Sequence, residues 1–119
     1  MGSIAFDETA IINSKLMELA LERQKIIANN MANADTPHYA RLEFKFLDEL
    51  KESLEGGDIE DITAVKGEIV EDKTTPARLD GNNVYIAKEM NEMVQNSLFY
   101  NLLTRAFATR MNILKQAIR

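Results

Sequence analysis

Apolar positions recur at helical spacing at both ends of this chain and lose that rhythm in the middle. From about residue 8 to 34, Ile12, Leu16, Leu19 and Ile26 alternate by fours and threes, and the series continues into Asn30 and Asn33, with Arg23 interrupting it. From about 84 to 118 a longer stripe runs through Met90, Met93, Ser97, Tyr100, Thr104, Phe107, Met111, Leu114 and Ile118 without a break, in a segment free of Gly and Pro. Sustained 3.5-residue spacing is the pattern of a coiled-coil seam. At 1.5 Å per residue the second helix should be about 50 Å long. Asn82 or Asn83 is expected to cap its start, because a side-chain amide oxygen accepts orphan backbone hydrogens there.

Residues 37–81 between the helices hold both prolines and four of the five glycines. Leu42, Phe44 and Phe46 alternate as in a strand, while Phe46, Leu47, Leu50 and Leu54 fit a short helix stopped by Gly56-Gly57. The helix, from about 45 to 55, is the favoured reading. Ile62–Val65 and Glu68–Val70 flank Lys66-Gly67 as a small hairpin, and Thr74–Gly81 reads as extended. The predicted fold is therefore mainly α: long N- and C-terminal helices forming an antiparallel coiled-coil-like pair, with a short helix and an irregular or β-hairpin middle. One structural domain is expected, divided into an N-terminal helix region (1–36), a middle region (37–81) and a C-terminal helix region (82–119).

Two features strain the picture of a self-sufficient helical hairpin. Ser97, Thr104, Asn30, Asn33 and Arg23 are polar groups within the stripes, and leaving such a group buried and unpaired costs about 1–3 kcal/mol. The C-terminal helix also carries apolar residues off its stripe, among them Val94, Leu98, Phe99, Leu102 and Ile113. A single partner helix cannot cover so wide a surface, so neighbouring chains are implied.

The junction Ala28-Asn29-Asn30-Met31-Ala32-Asn33-Ala34-Asp35-Thr36-Pro37 ends the first helix with three amides in five positions. These are poor helix formers, and Pro37 pushes Thr36 out of the α region. Asn30 and Asn33 share a face with Ile26 and Ile27, a face expected to meet another chain.

Charge is uneven. Residues 1–39 carry 3 basic and 5 acidic groups, residues 40–81 carry 6 and 12, and residues 82–119 carry 5 and 2, within a net −5 for the 119 residues. The acidic middle either simply keeps an exposed segment solvated or matches the basic end of a neighbouring copy. Nucleic acid is excluded as the main partner, since phosphate binding needs a concentrated basic face. No apolar run is long enough to span a membrane, and no cleavable signal peptide is expected, because Asp7-Glu8 interrupts any apolar core.

Catalytic chemistry finds little footing. His38 is the one histidine, there is no cysteine, and no base–nucleophile pair is spaced for acyl transfer. Asp58, Glu60 and Asp61 lack the spacing of a calcium loop, and Gly56-Gly57 has no phosphate-cradling pattern around it. Six methionines fall mostly on helices, where adaptable packing accounts for them. Neither an enzyme, a cofactor nor a metal is expected.

The run Asn29-Asn30-Met31-Ala32-Asn33-Ala34-Asp35-Thr36-Pro37-His38-Tyr39 resembles the N-terminal signature of bacterial flagellar rod, hook and hook-associated proteins. Leu79-Asp80-Gly81-Asn82-Asn83-Val84, followed by Lys88-Glu89-Met90, is similar to the basal-body rod family, and most like its proximal member nearest the membrane ring. The likeness covers roughly 8–44 and 74–118. His38 stands where Gly or Asn is more usual, and Tyr85-Ile86 replaces a more acidic pair.

The resemblance implies a structural rod subunit that assembles helically, transmits torque and joins the membrane ring to the rest of the rod. It implies as partners other rod subunits, membrane-ring or adaptor proteins and the flagellar type III export apparatus. Location in the periplasmic rod, and export that Ile4 and Phe6 help to engage, follow from it as well. Asn30, Asn33, Met90, Met93, Tyr100, Phe107, Met111 and Leu114 are the candidate intersubunit or seam residues. The alternative is a cytoplasmic helical-hairpin adaptor or secretion chaperone with similar heptads.

Overall fold

The computed structural model describes residues 6–118. Four helices and two short strands follow in the order α1 (Phe6–Ala32), β1 (Leu42–Lys45), α2 (Leu47–Gly56), α3 (Ile59–Thr63), β2 (Glu68–Glu71) and α4 (Ile86–Ala117). Ile4 and the Phe6 side chain, linked above to export, lie outside the described residues.

The two long helices form the antiparallel pair that the stripes predict. Asn30 of α1 meets Glu89 of α4, whereas Ala20 and Gln24 meet Asn96. Numbers that fall along one helix therefore rise along the other. Acidic Asp7 and Glu8 in the first turn of α1 suit the positive end of its dipole. The molecule measures 62 × 28 × 14 Å with a radius of gyration of 17.7 Å, against about 13.5 Å for a globule of this length. It is markedly elongated.

The apolar core is not in the helix pair. Leu19, Phe46, Leu50, Ile62 and Val65 form it, with Ile12, Leu16, Phe44 and Ile59 packed around, so α1 is shared between α4 and the middle segment. Both alternatives for residues 42–54 coexist. Leu42–Lys45 is a strand, and Phe46, buried in the core, is the switch residue at the start of α2. Gly57 ends that helix in the left-handed region (φ 73°), donating its amide hydrogen to the carbonyls of Ser53 and Leu54.

The expected pairing around Lys66-Gly67 is corrected. Residues 59–63 are helical, with the Asp58 carboxylate capping the Glu60 amide at 3.0 Å. Ile62 and Val65, three apart, both point into the core, which a strand with its two-residue period could not achieve. The strand 68–71 does form, but its partner is β1, antiparallel, with Leu42 opposite Glu71 and Lys45 opposite Glu68.

Asn82 and Asn83 do not cap α4 either. Tyr85 holds the cap position without a side-chain bond, and both asparagines are buried in contacts described next.

Candidate functional site

The polar residues of the molecule converge where α1 ends, β1 begins and α4 starts. The last turns of α1 tighten through the Asn33 amide, which donates to the carbonyls of Asn29 and Asn30, and through Thr36, which donates to Asn33. Asn33 Nδ2 returns to the Asn29 carbonyl at 2.8 Å, and Thr36 Oγ1 donates to Asn33 Oδ1 at 3.2 Å. A helix end still leaves orphan carbonyls that need donors. They come from 45 residues further on: Asn82 Nδ2 donates to the carbonyls of Asn33 and Thr36, both at 2.8 Å, and Arg78 donates to that of Ala34.

Asn30, fully buried, acts as a side-chain version of a β-ladder partner. Its Nδ2 donates to the Leu42 carbonyl at 2.8 Å, and its Oδ1 accepts from the Leu42 amide at 2.9 Å and the Tyr39 hydroxyl at 3.0 Å. Asn29 in turn donates to the Tyr39 oxygen at 2.9 Å. Burial raises the Tyr39 phenol above its ordinary value, the Asn29 bond works against this, and the nearby Glu89 charge adds to it.

The loop 78–81 is clamped from several sides. His38 donates its amide to the Asp80 carbonyl at 2.9 Å, Gly81 to Arg78 at 2.9 Å, and Arg78 to Asn82 at 2.8 Å. His38 has φ 62°, in the left-handed region that Gly and Asn adopt at lower cost. Gly81 (φ 83°) lies so close that a Cβ on it would stand 2.5 Å from His38 Nδ1 and 3.2 Å from its Cα.

At the centre sits Arg41, one guanidinium facing four carboxylates. It bonds Glu89 through Nε, Glu43 (2.7 Å) and Asp72 (3.2 Å) through Nη1, and Glu92 (2.6 Å) through Nη2. Its backbone amide donates to Asn83 Oδ1 at 2.6 Å, and Asn83 Nδ2 reaches the Asp72 carbonyl at 2.8 Å. Arg41, Glu89 and Asp72 are almost completely buried, whereas Glu43 and Glu92 face a groove of about 170 Å³ that Ile26 and Ile27 also line.

Burial would lower the Arg41 value, but bonds from Glu89 and Glu43 outweigh it and hold the guanidinium charged. Burial would likewise raise Asp72. Donors from the hydroxyls and amides of Thr75 and Thr74, at 2.5–3.1 Å, more than reverse that and keep it well below the usual carboxylate range.

This arrangement fastens α1, β1 and α4 together. Every carboxylate in it is engaged with one fixed cation, and among the described residues no group of three or more His, Asp or Glu is placed to hold a metal ion. Among the described residues no helix is long and apolar enough to cross a membrane.

The structure separates the eight candidate residues. Asn30 and Asn33 belong to the clasp. Met93, Tyr100, Phe107 and Met111 lie half-buried along α4, while Met90 and Leu114 are exposed. The buried residues of α4 are both polar, Glu89 and Asn96, and its apolar residues are half-buried or exposed among the described residues.

Residue-by-residue reading misses Arg41, Asp72 and Glu92 altogether, and Glu89 enters only through the run Lys88-Glu89-Met90. The one available signal was the pair of family-like runs containing Asn30 and Asn82-Asn83, whose members turn out to bond across the joint.

The sequence pattern of a family described as flagella basal body rod protein matches residues 17–39, the second half of α1 and the turn after it. The chain is similar to the flagellar basal body rod protein FlgB of Bacillus subtilis, 34% identical over 116 residues, covering 86% of this chain and 89% of that one. FlgB of Escherichia coli K12 is 29% identical, with 92% and 94% covered, and FlgB of Aquifex aeolicus is 29% identical, with 88% of each covered.

Proposed function

The chain belongs to the flagellar basal body rod protein family, and we propose that within the rod it is a proximal subunit that carries torque and joins the membrane ring to the segments beyond. It is a structural subunit of the flagellar basal body. The observation that carries the finer reading is the unfinished seam of α4. Its 32 residues bury only Glu89 and Asn96, while Met90, Val94, Leu98, Leu102 and Ile113 stay more than half exposed. So much bare apolar surface on one element marks an interaction site.

On this reading the clasp and the bare helices divide the work. The clasp locks α1 to α4 at one end, so that a twisting load on one helix reaches the other through charge-assisted bonds. The exposed faces are covered by other rod subunits and by membrane-ring or adaptor proteins, with Met90 and Leu114 offered outward and Met93, Tyr100, Phe107 and Met111 completing a shared seam. Asn30 and Asn33 keep the joint in register. A marginal monomer of this kind suits delivery by the type III export apparatus to the periplasmic rod. The subunit works without catalytic chemistry. The relatives' descriptions favour none of this for a cytoplasmic adaptor or secretion chaperone.

The test is removal. A strain lacking this chain should make basal bodies that stop at the membrane ring, with no rod and no swimming, and a plasmid copy should restore both. Asn33→Leu should be produced at normal levels yet fail to complement. A complete rod in the deletion strain would refute the assignment.

A further inference from the structure

Apolar residues on α4 fall in two rows. One, Met93, Tyr100, Phe107 and Met111, turns toward α1. The other, Leu98, Leu102 and Ile113, is more than half exposed. At about 100° per residue, Leu102 stands roughly 40° round from Leu98 and Ile113 roughly 20° beyond it, so the three share one strip on the far side from α1. Arg105 lies within that strip. Residues 98–118 carry Arg105, Arg110 and Lys115 and no carboxylate.

A second apolar surface has no cover among the described residues. Leu47 and Leu54, seven residues apart on the outer side of α2, are exposed over Leu50, and with Asp48, Lys51 and Glu55 they bound a shallow depression of about 480 Å³. Residues 47–63 hold seven carboxylates and, in Lys51, a single base.

We infer that the outer strip of α4 in one copy docks into the α2 depression of a second copy, with a leucine or isoleucine between Leu47 and Leu54 and Arg105 set against the α2–α3 carboxylates. Charge decides the occupant. Pairing α4 with α4 brings two basic strips together, and pairing α2 with α2 brings two strongly acidic ones together. The crossed pairing alone is attractive, and like-charge contact is an effective veto on the symmetric ones. Because the two surfaces differ, the contact is heterologous: each copy keeps one free strip and one free depression, and the series extends without closing. The inference rests on the rod reading above and adds which faces of two copies meet.

The chain has no cysteine, so a disulfide between copies can be introduced cleanly. Leu54→Cys with Leu102→Cys, and Leu54→Cys with Ile113→Cys, are expressed as full chains in place of the native copy. Basal bodies are isolated, oxidised and run without reductant. At least one pair should give a ladder of dimers and longer species, and the single variants should remain monomeric. Adding Arg105→Glu should cut the ladder at least tenfold, and Glu52→Lys with Glu55→Lys should restore it.

Dimers from Leu102→Cys alone would overturn the inference in favour of α4 against α4. Monomers throughout, with the protein present in the basal body, would overturn it and leave the rod assignment standing. Absence of even the wild-type chain from basal bodies would remove both.

Discussion

Replacing Arg41 by Met tests the clasp most directly. The side chain keeps most of its length and loses the guanidinium, leaving four carboxylates without their cation, two of them almost wholly buried. Removing one partner of a buried ion pair costs about 3–5 kcal/mol, because the remaining charge is left uncompensated. A 119-residue chain has roughly 6–18 kcal/mol of total stability at about 0.05–0.15 kcal/mol per residue. The change is therefore expected to consume a large part of it and to lower Tm by about 12–20 °C at an unfolding entropy near 2.1 cal/mol/K per residue.

The dependence on pH gives the sharper check. In the wild type Asp72 is depressed in the folded state, so its contribution is present above the ordinary carboxylate value and is lost as pH falls below it. Arg41→Met leaves the threonine donors of Asp72 in place and removes the cation, so protonating a buried carboxylate relieves the uncompensated charge in the variant and brings no such relief in the wild type. The gap between the two should be widest near pH 7 and should narrow by pH 4. Urea unfolding followed by far-ultraviolet circular dichroism at both pH values measures it. A loss under about 1 kcal/mol, or a gap unchanged between pH 7 and pH 4, would refute the idea that this guanidinium holds the joint.

Three further outcomes follow from neighbouring residues. Gly81→Ala should cost about 1–3 kcal/mol, since a Cβ there meets His38 and the backbone is left-handed. Combining it with His38→Gly should cost clearly less than the sum of the two single changes, and simple additivity in denaturation would count against the contact. Asn30→Leu leaves the Leu42 amide and carbonyl and the Tyr39 hydroxyl without their partner. At about 1–3 kcal/mol per unsatisfied group, the amide hydrogen of Leu42 should also exchange much faster. Asn13→Leu should raise Tm by a few degrees, because Asn13 Oδ1 is buried with no hydrogen-bond partner among the described residues; a lower Tm would show that the oxygen is satisfied.

Where physics acts between near neighbours, the amino-acid order was enough. Spacing of apolar residues marked α1 and α4, Gly56-Gly57 marked the end of α2, and the alternation at Leu42 and Phe44 offered the strand that β1 forms. The excess of apolar surface on α4 could be read off before any coordinates, since no single helix can cover both of its rows.

What tertiary structure alone decided is which partners those elements choose. β2 pairs with β1 and not with its sequence neighbour, because Ile62 and Val65 are drawn into the core by a helical turn. Arg41 and Glu89, 48 positions apart, read as ordinary solvated charges on their own elements. Only when α1, β1 and α4 meet does water leave them, and a charge deprived of water must find its opposite there. A residue's type shows what it could bond, but burial determines whether it has to, and burial belongs to the assembled fold.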